Sequence, residues 1–203
     1  ALLFAAHSHL MQADSDVRNG QVYSGGTIPY QRFRAWELSG RTAGIVGLGA
    51  FGRALKWRLE GLGMKVISYD PFNPQATHSF EDLLAEASIV SMHAPVLDET
   101  KAMMGAKQFA MMPEGSIYLT AARAALHDSD ALVAALQSGH LAGAGLDHFE
   151  GENISPEHPL AQLKNVALAP HIGGATYDTE SRQSQMVADD IEALLKGEKP
   201  RYI

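Results

Sequence analysis

From Gly40 onward, apolar runs of four to six residues recur at Ala43–Val46, Lys65–Tyr69, Ser88–Met92, Ser116–Leu119, Leu141–Leu146 and Val166–Ala169. Runs this short, bounded by turn residues, read as buried strands. Helical patterns fall between most of them. Parallel strands need a crossover, usually a helix, whereas antiparallel ones can be joined by a tight hairpin, so strands that alternate with helices predict a parallel sheet covered on both faces. The expected fold class is α/β: a doubly wound parallel sheet of six main strands with flanking helices.

The connecting helices carry their own stop signals. The pattern over Phe51–Glu60 is the clearest. A helix over Asp128–Ser138 opens on Asp128 or Ser129 as cap, buries Leu132, Val133 and Leu136, and stops at Gly139. Ser79 with Asp82 forms a capping box for a short helix through Leu84. The last helix is expected from about Thr176 to Gly197, with Pro200 beyond, and to bury Val187, Ile191 and Leu195. Ahead of the alternating region, Ala1 to about Arg18 reads as one helix with Leu2, Leu3, Ala6, Leu10 and Val17 along one side. Residues 19–38 read as irregular. They hold Gly20, Gly25, Gly26 and Pro29 together with Tyr23, Tyr30, Phe33 and Trp36, and an aromatic segment of that kind is expected to lie on another surface.

Composition excludes several classes of function. A net charge of −7 argues against a nucleic-acid partner, which needs a basic face. The absence of cysteine rules out disulfides and thiolate metal sites. No run approaches the roughly 18 apolar residues of a membrane span, and the opening ALLFAAHSHL lacks the pattern of a secretory leader, so a cytoplasmic location is expected. His7, His9, His78, His127, His140, His148 and His158 show no metal-ligand spacing, and no metal is expected. The chain starts without Met and ends on KPRYI, and both ends look cut from something longer.

The first strand runs into Gly47-Leu48-Gly49-Ala50-Phe51-Gly52, which opens a helix. In this strand–turn–helix context the first glycine permits the tight turn. The second leaves room for a pyrophosphate, and the third lets helix and strand pack closely. The helix N-terminus offers free N–H groups and partial positive charge to phosphates. The second strand ends at Asp70, 18 residues after Gly52, where a carboxylate accepts both ribose hydroxyls and repels a 2′-phosphate. No Arg or Lys occurs from Pro71 to Ser79 to receive such a phosphate. The pattern predicts a Rossmann domain that binds NAD in preference to NADP.

Three later segments supply chemistry. Thr120-Ala121-Ala122-Arg123 follows the fourth strand, Leu146-Asp147-His148-Phe149-Glu150-Gly151-Glu152 the fifth, and Pro170-His171-Ile172-Gly173-Gly174-Ala175-Thr176 the sixth. Each lies just past the carboxyl end of a strand, where open α/β sheets place their ligands. With the glycine turn and Ser91-Met92-His93-Ala94-Pro95, these segments resemble the nucleotide-binding domain of the D-isomer-specific 2-hydroxyacid dehydrogenases, from about Trp36 to Pro200.

That resemblance implies an NAD-dependent oxidoreductase that interconverts D-2-hydroxy acids and 2-oxo acids. It makes His171 the general acid/base, Glu152 its carboxylate partner and Arg123 the substrate anchor. The chemistry suits each: His exchanges a proton near neutral pH, a carboxylate favours the imidazolium, and Arg offers a planar fork to a substrate carboxylate. The implied cofactor contacts are Gly47, Gly49, Ala50, Phe51 and Gly52 at the turn, Asp70 and Pro71 at the ribose, and His93, Ala94, Pro95 and Thr100 after the third strand. Thr120, Ala121, Ala122, Asp147, His171, Gly173 and Gly174 complete them, with Thr120 and Ala121 beside the nicotinamide and Asp147 at its carboxamide. The imidazole of His93 is read as lining the site without a catalytic role.

The sequence departs from the family pattern at Thr120 in place of Asn, Ala124 in place of Gly, His148 in place of Val and Asn153 in place of Pro, which leaves the particular acid unassigned. The resemblance further implies a substrate-binding domain absent from this chain, so that 1–203 is the Rossmann domain alone, with 40–203 its doubly wound core. Segment 1–39 then falls in the subunit-contact region of a homodimer. A dinucleotide-sensing, corepressor-like module on the same fold is the alternative. Assay on 2-oxo acids separates the two.

Overall fold

The computed structural model describes residues 1–202, and the chain divides into two compact units, Ala1–Pro170 and His171–Ile203. The first unit opens on three short helices, α1 (Leu2–His7), α2 (Leu10–Arg18) and α3 (Pro29–Arg32). There follow β1 (Thr42–Val46), α4 (Ala50–Gly61), β2 (Lys65–Tyr69), α5 (Phe80–Glu86), β3 (Ile89–Met92), α6 (Ala106–Met111) and β4 (Ser116–Thr120). The unit closes with α7 (Ser129–Gln137), β5 (Leu141–Leu146), α8 (Pro159–Gln162) and β6 (Val166–Leu168). The second unit holds α9 (Tyr177–Leu195).

The six strands form one sheet in the order β2-β1-β3-β4-β5-β6, and every pairing is parallel. Successive side chains of a strand point to opposite faces, so each strand feeds two cores. Ala43, Ile45, Ile89, Ile117 and Leu119 pack on one face with Leu3 and Ala6 of α1 and Leu59 of α4. Val46, Val90, Met92 and Tyr118 pack on the other with Leu83 and Leu84 of α5, Phe109 of α6 and Leu132 of α7. The continuous apolar runs seen in the sequence are what burial on both faces demands. Capping follows the sequence as well: Ser79 accepts from the Asp82 N–H and Asp128 from the Ala131 N–H.

Three expectations need correction. The opening helix is two helices, because His9 takes a left-handed conformation (φ 52°) between α1 and α2. Leu3 and Ala6 are buried, whereas Leu10 and Val17 are exposed, so the apolar side seen in the sequence is divided by that break. α1 lies against β5 at Gly145, where a Cβ would come 2.9 Å from the Leu2 Cβ. Residues 19–38 are not wholly irregular: a 3-10 turn at Ser24–Gly26 and α3 interrupt them, and the Arg32–Asp16 ion pair (2.6 Å) ties α3 to α2. Tyr23, Tyr30 and Trp36 remain on the surface.

The third correction concerns α9. Val187, Ile191 and Leu195 are exposed, not buried, and the buried residue of the helix is Asp190. An apolar stripe on a helix is hidden only when another surface covers it. Asp190 instead accepts the Arg201 N–H (2.7 Å) and holds the residues after the helix.

Candidate active site

β1 has β2 on one side and β3 on the other, so the chain changes winding direction at the carboxyl ends of β1 and β3. A crevice opens at such a reversal in a parallel sheet. The glycine turn lies there. Gly47 has φ 97°, and a Cβ on it would stand 2.7 Å from the Ala94 nitrogen, so the turn packs directly on the backbone after β3. A Cβ on Gly52 would meet the Gly47 carbonyl oxygen at 2.1 Å, which no side chain tolerates. Gly49 faces open space, with nothing within 4 Å of where its Cβ would be. It is the N-cap residue of α4, no side chain caps the helix, and no acidic residue occupies its first turn.

Leu48, buried at the centre of the turn, is held through its backbone from three directions. Its N–H donates to Asp70 Oδ2 (2.8 Å), and its carbonyl accepts from Arg53 Nη1 and Asn73 Nδ2 (both 2.9 Å). Asp70 Oδ1 accepts the Phe72 N–H at 2.9 Å. Each carboxylate oxygen has two acceptor directions, so Asp70 retains capacity for ribose hydroxyls while it organises the turn. Pro71 is exposed just beyond. An open Gly49 beneath an uncapped helix start and a carboxylate at the next strand tip fit a dinucleotide: backbone N–H groups for the phosphates, an acceptor for the ribose. Arg53 and Asn73 were missed in the sequence, since neither belongs to the glycine pattern.

After β3, His93 Nε2 lies 2.9 Å from Ser91 Oγ, and burial pulls its pKa down to about 4, which keeps the ring neutral at pH 7. Ala94 is buried and Pro95 exposed. The Thr100 hydroxyl donates to the Pro95 carbonyl (2.7 Å) and accepts the Leu97 N–H (2.7 Å), which folds the loop back on itself.

At the tip of β4, Thr120 is fully buried, and its Oγ1 accepts the Ala122 N–H at 3.4 Å. Ala121 and Arg123 are exposed, and Arg123 Nη1 donates to the Ala122 carbonyl (2.6 Å). At the tip of β5, the Asp147 N–H donates to the Thr120 carbonyl (3.0 Å), which joins the two tips. Asp147 and His148 are both 3% exposed. A 3-10 turn at Glu150–Glu152 follows, with Gly151 at φ 70° and Glu152 at φ 57°. It brings the exposed Glu152 carboxylate back to the buried ring of His148, with 3.7 Å between Oε1 and Nδ1. The sequence marked His148 as a departure from pattern and as a histidine without metal-ligand spacing, and its spacing of four from Glu152 was not used.

In the second unit His171, Gly173 and Gly174 lie on an exposed loop before α9. His171 has φ 55°, and the Ala175 N–H donates to the Ile172 carbonyl (3.0 Å). Among the described residues, the non-glycine positions with positive φ are His9, Ala102, Glu152 and His171. Two of these are the expected acid/base and its carboxylate partner. Left-handed backbone costs about 1–2 kcal/mol for such residues and collects at functional positions.

A family model described as "D-isomer specific 2-hydroxyacid dehydrogenase, NAD binding domain" matches residues 1–173, so the match reaches back through the opening helices. A glyoxylate reductase of Thermococcus litoralis is 40% identical over 210 residues, which cover 98% of this chain and 63% of that protein. A D-3-phosphoglycerate dehydrogenase of Archaeoglobus fulgidus is 35% identical over 205 residues, 97% of this chain and 38% of that protein. The crystal structure of D-lactate dehydrogenase with NAD+ from Lactobacillus jensenii is similar at a TM-score of 0.86 and 28% identity, over 100% of this chain and 65% of that one. The chain thus spans less than two thirds of the length of each of these relatives.

Proposed function

Because this chain belongs to the NAD-binding domain family of the D-isomer specific 2-hydroxyacid dehydrogenases, we propose that it is the nucleotide-binding part of an NAD-dependent oxidoreductase acting on D-2-hydroxy and 2-oxo acids. The observation that carries this reading is the Asp70 carboxylate bonded to the Leu48 N–H inside an open glycine turn, at the point where the sheet reverses its winding. NAD, when bound, supplies or takes up the hydride. The chain's own groups bind, orient and move the proton. Arg123 holds the substrate carboxylate, His171 exchanges the proton at the substrate oxygen, and Glu152 stabilises the charged ring. Asp147 and Thr120 fix the nicotinamide end, and Asp70 sets the preference for NAD over NADP. His93, kept neutral by burial, lines the site.

Substrate acids are 2-oxo or 2-hydroxy acids, and the groups that read the rest of the acid lie in a substrate domain outside these residues. Support for that division comes from the share of each relative that the chain spans. Segment 1–39, with Tyr23, Tyr30 and Trp36 on the surface, forms a homodimer contact. Sedimentation at micromolar concentration checks it, and a clean monomer would remove it. The cytoplasm is the proposed place of action. Among the described residues, no helix is long and apolar enough to cross a membrane. A dinucleotide sensor is not favoured, since the relatives carry the names of reductases and dehydrogenases.

The deciding experiment assays the protein made from its complete natural reading frame with NADH against glyoxylate, hydroxypyruvate and pyruvate. Turnover on at least one is expected. Tight NADH binding with no turnover on any 2-oxo acid would transfer the reading to a sensor.

A further inference from the structure

We infer that His148 is a positioning residue for Glu152. The proposal rests on the reading of Glu152 as the carboxylate that serves the acid/base. His148 lies two residues past the end of β5 and has 2% of its side chain exposed, so its ring is held in the protein interior. Glu152 is the opposite case: its side chain is 59% exposed and sits on a turn of two consecutive left-handed residues. An exposed glutamate samples many rotamers, and ordering it costs up to about 2 kcal/mol. A rigid imidazole whose Nδ1 lies 3.7 Å from Oε1 supplies a reference point for that carboxylate. The distance exceeds a normal hydrogen bond, and a small rotation of Glu152 closes it. Catalytic hydrogen bonds are commonly long before ligands bind.

The Glu150–Glu152 turn explains how the pair forms. Residues four apart meet on a helix, but these two are joined by extended backbone at Phe149 and a left-handed Gly151. The Glu152 N–H donates back to the Phe149 carbonyl (3.1 Å), so the turn doubles the chain onto the end of β5. Oε1 is thereby brought to the buried ring of His148.

The test uses the protein from its complete reading frame with NADH and glyoxylate. His148→Val should lower kcat by about tenfold, the scale of one hydrogen bond to a charged group, and leave the KM for NADH within about twofold. His148→Asn, whose amide nitrogen falls near the position of Nδ1, should recover kcat to within about threefold of wild type, and His148→Gln should not. In a Glu152→Ala background, His148→Val should cause no further loss. Equal kcat for the Val variant and wild type, equal kcat for the Asn and Gln variants, or losses that multiply in the double variant would each overturn the proposal. If the Val variant does not fold, the Asn–Gln comparison decides alone. Should Glu152→Ala leave kcat unchanged, the reading of Glu152 itself falls and this proposal with it. Silent His148 variants beside a damaging Glu152→Ala would overturn this proposal only.

Discussion

The two ends of the sheet's carboxyl edge are built differently. At the β1–β2 end, the glycine turn is locked by its neighbours: Leu48 is bonded through both N–H and carbonyl, and Gly47 and Gly52 pack on backbone. At the β4–β5 end, Arg123 and Glu152 stand exposed on short turns. A locked turn pays little ordering entropy when a ligand arrives, whereas ordering an exposed Arg or Glu side chain costs up to about 2 kcal/mol. The difference teaches that the turn proposed for the cofactor is set by the domain's own packing. The groups proposed for chemistry stand instead on exposed turns, with the buried His148 ring 3.7 Å from Glu152.

If that division is real, mutations on the two sides should separate binding from turnover. The largest effect is expected for Gly52→Ala, whose methyl would overlap the Gly47 carbonyl. A forced shift of backbone costs more than about 4 kcal/mol, so NADH affinity measured by fluorescence should fall at least about a thousandfold. On the other side, Glu152→Gln should lower kcat by about a hundredfold with NADH affinity unchanged. A Glu152→Gln variant that loses NADH binding in step with kcat would break the division.

Acid should weaken what lies beneath both ends. Burial holds His93 to a pKa of about 4, and it does the same to His127 against an opposing pull from Asp128. Both folded values lie below the unfolded 6.5, so the unfolded chain binds more protons in the interval. Their stabilising contribution is therefore present above pH 6.5 and lost as pH falls toward 4. Each histidine should remove about 2 kcal/mol between pH 7 and pH 5. Urea unfolding of His127→Gln should show a correspondingly flatter acid limb than wild type, and identical limbs would refute the assignment. The smallest effect is expected at Asp70. Its replacement by Ala should narrow the preference for NAD over NADP by about tenfold in calorimetric titration, the worth of its hydrogen bonds and charge. NADP binding equal to or tighter than NAD in the unaltered protein would remove the role given to this residue.

The strands were legible in the sequence to within a residue, because burial on both faces leaves continuous apolar runs with abrupt ends. β3 starts at Ile89 instead of Ser88, and β6 stops at Leu168 instead of Ala169. α4 was legible through its periodicity and α7 through periodicity and its cap, whereas α6 and α8, at six and four residues, are too short to show a period. The break at His9 left no periodic trace, since one left-handed residue redirects a helix without altering the pattern on either side. At α9 the stripe was read correctly as apolar, but periodicity reports a face and not what covers it. In the site, residues named by strand tips were found where strand tips are. His148 was not linked to Glu152 because their approach depends on the backbone of the Glu150–Glu152 turn, which side-chain chemistry does not announce.

The left-handed backbone of Glu152 sets stability against use. Asparagine occupies φ near 57° more readily than glutamate does, so Glu152→Asn should relax the turn. It would also shorten the side chain by one methylene and draw the carboxamide out of reach of its partners. Screening variants for thermal tolerance alone would thus reward a change that, on the role proposed for Glu152, disarms the site.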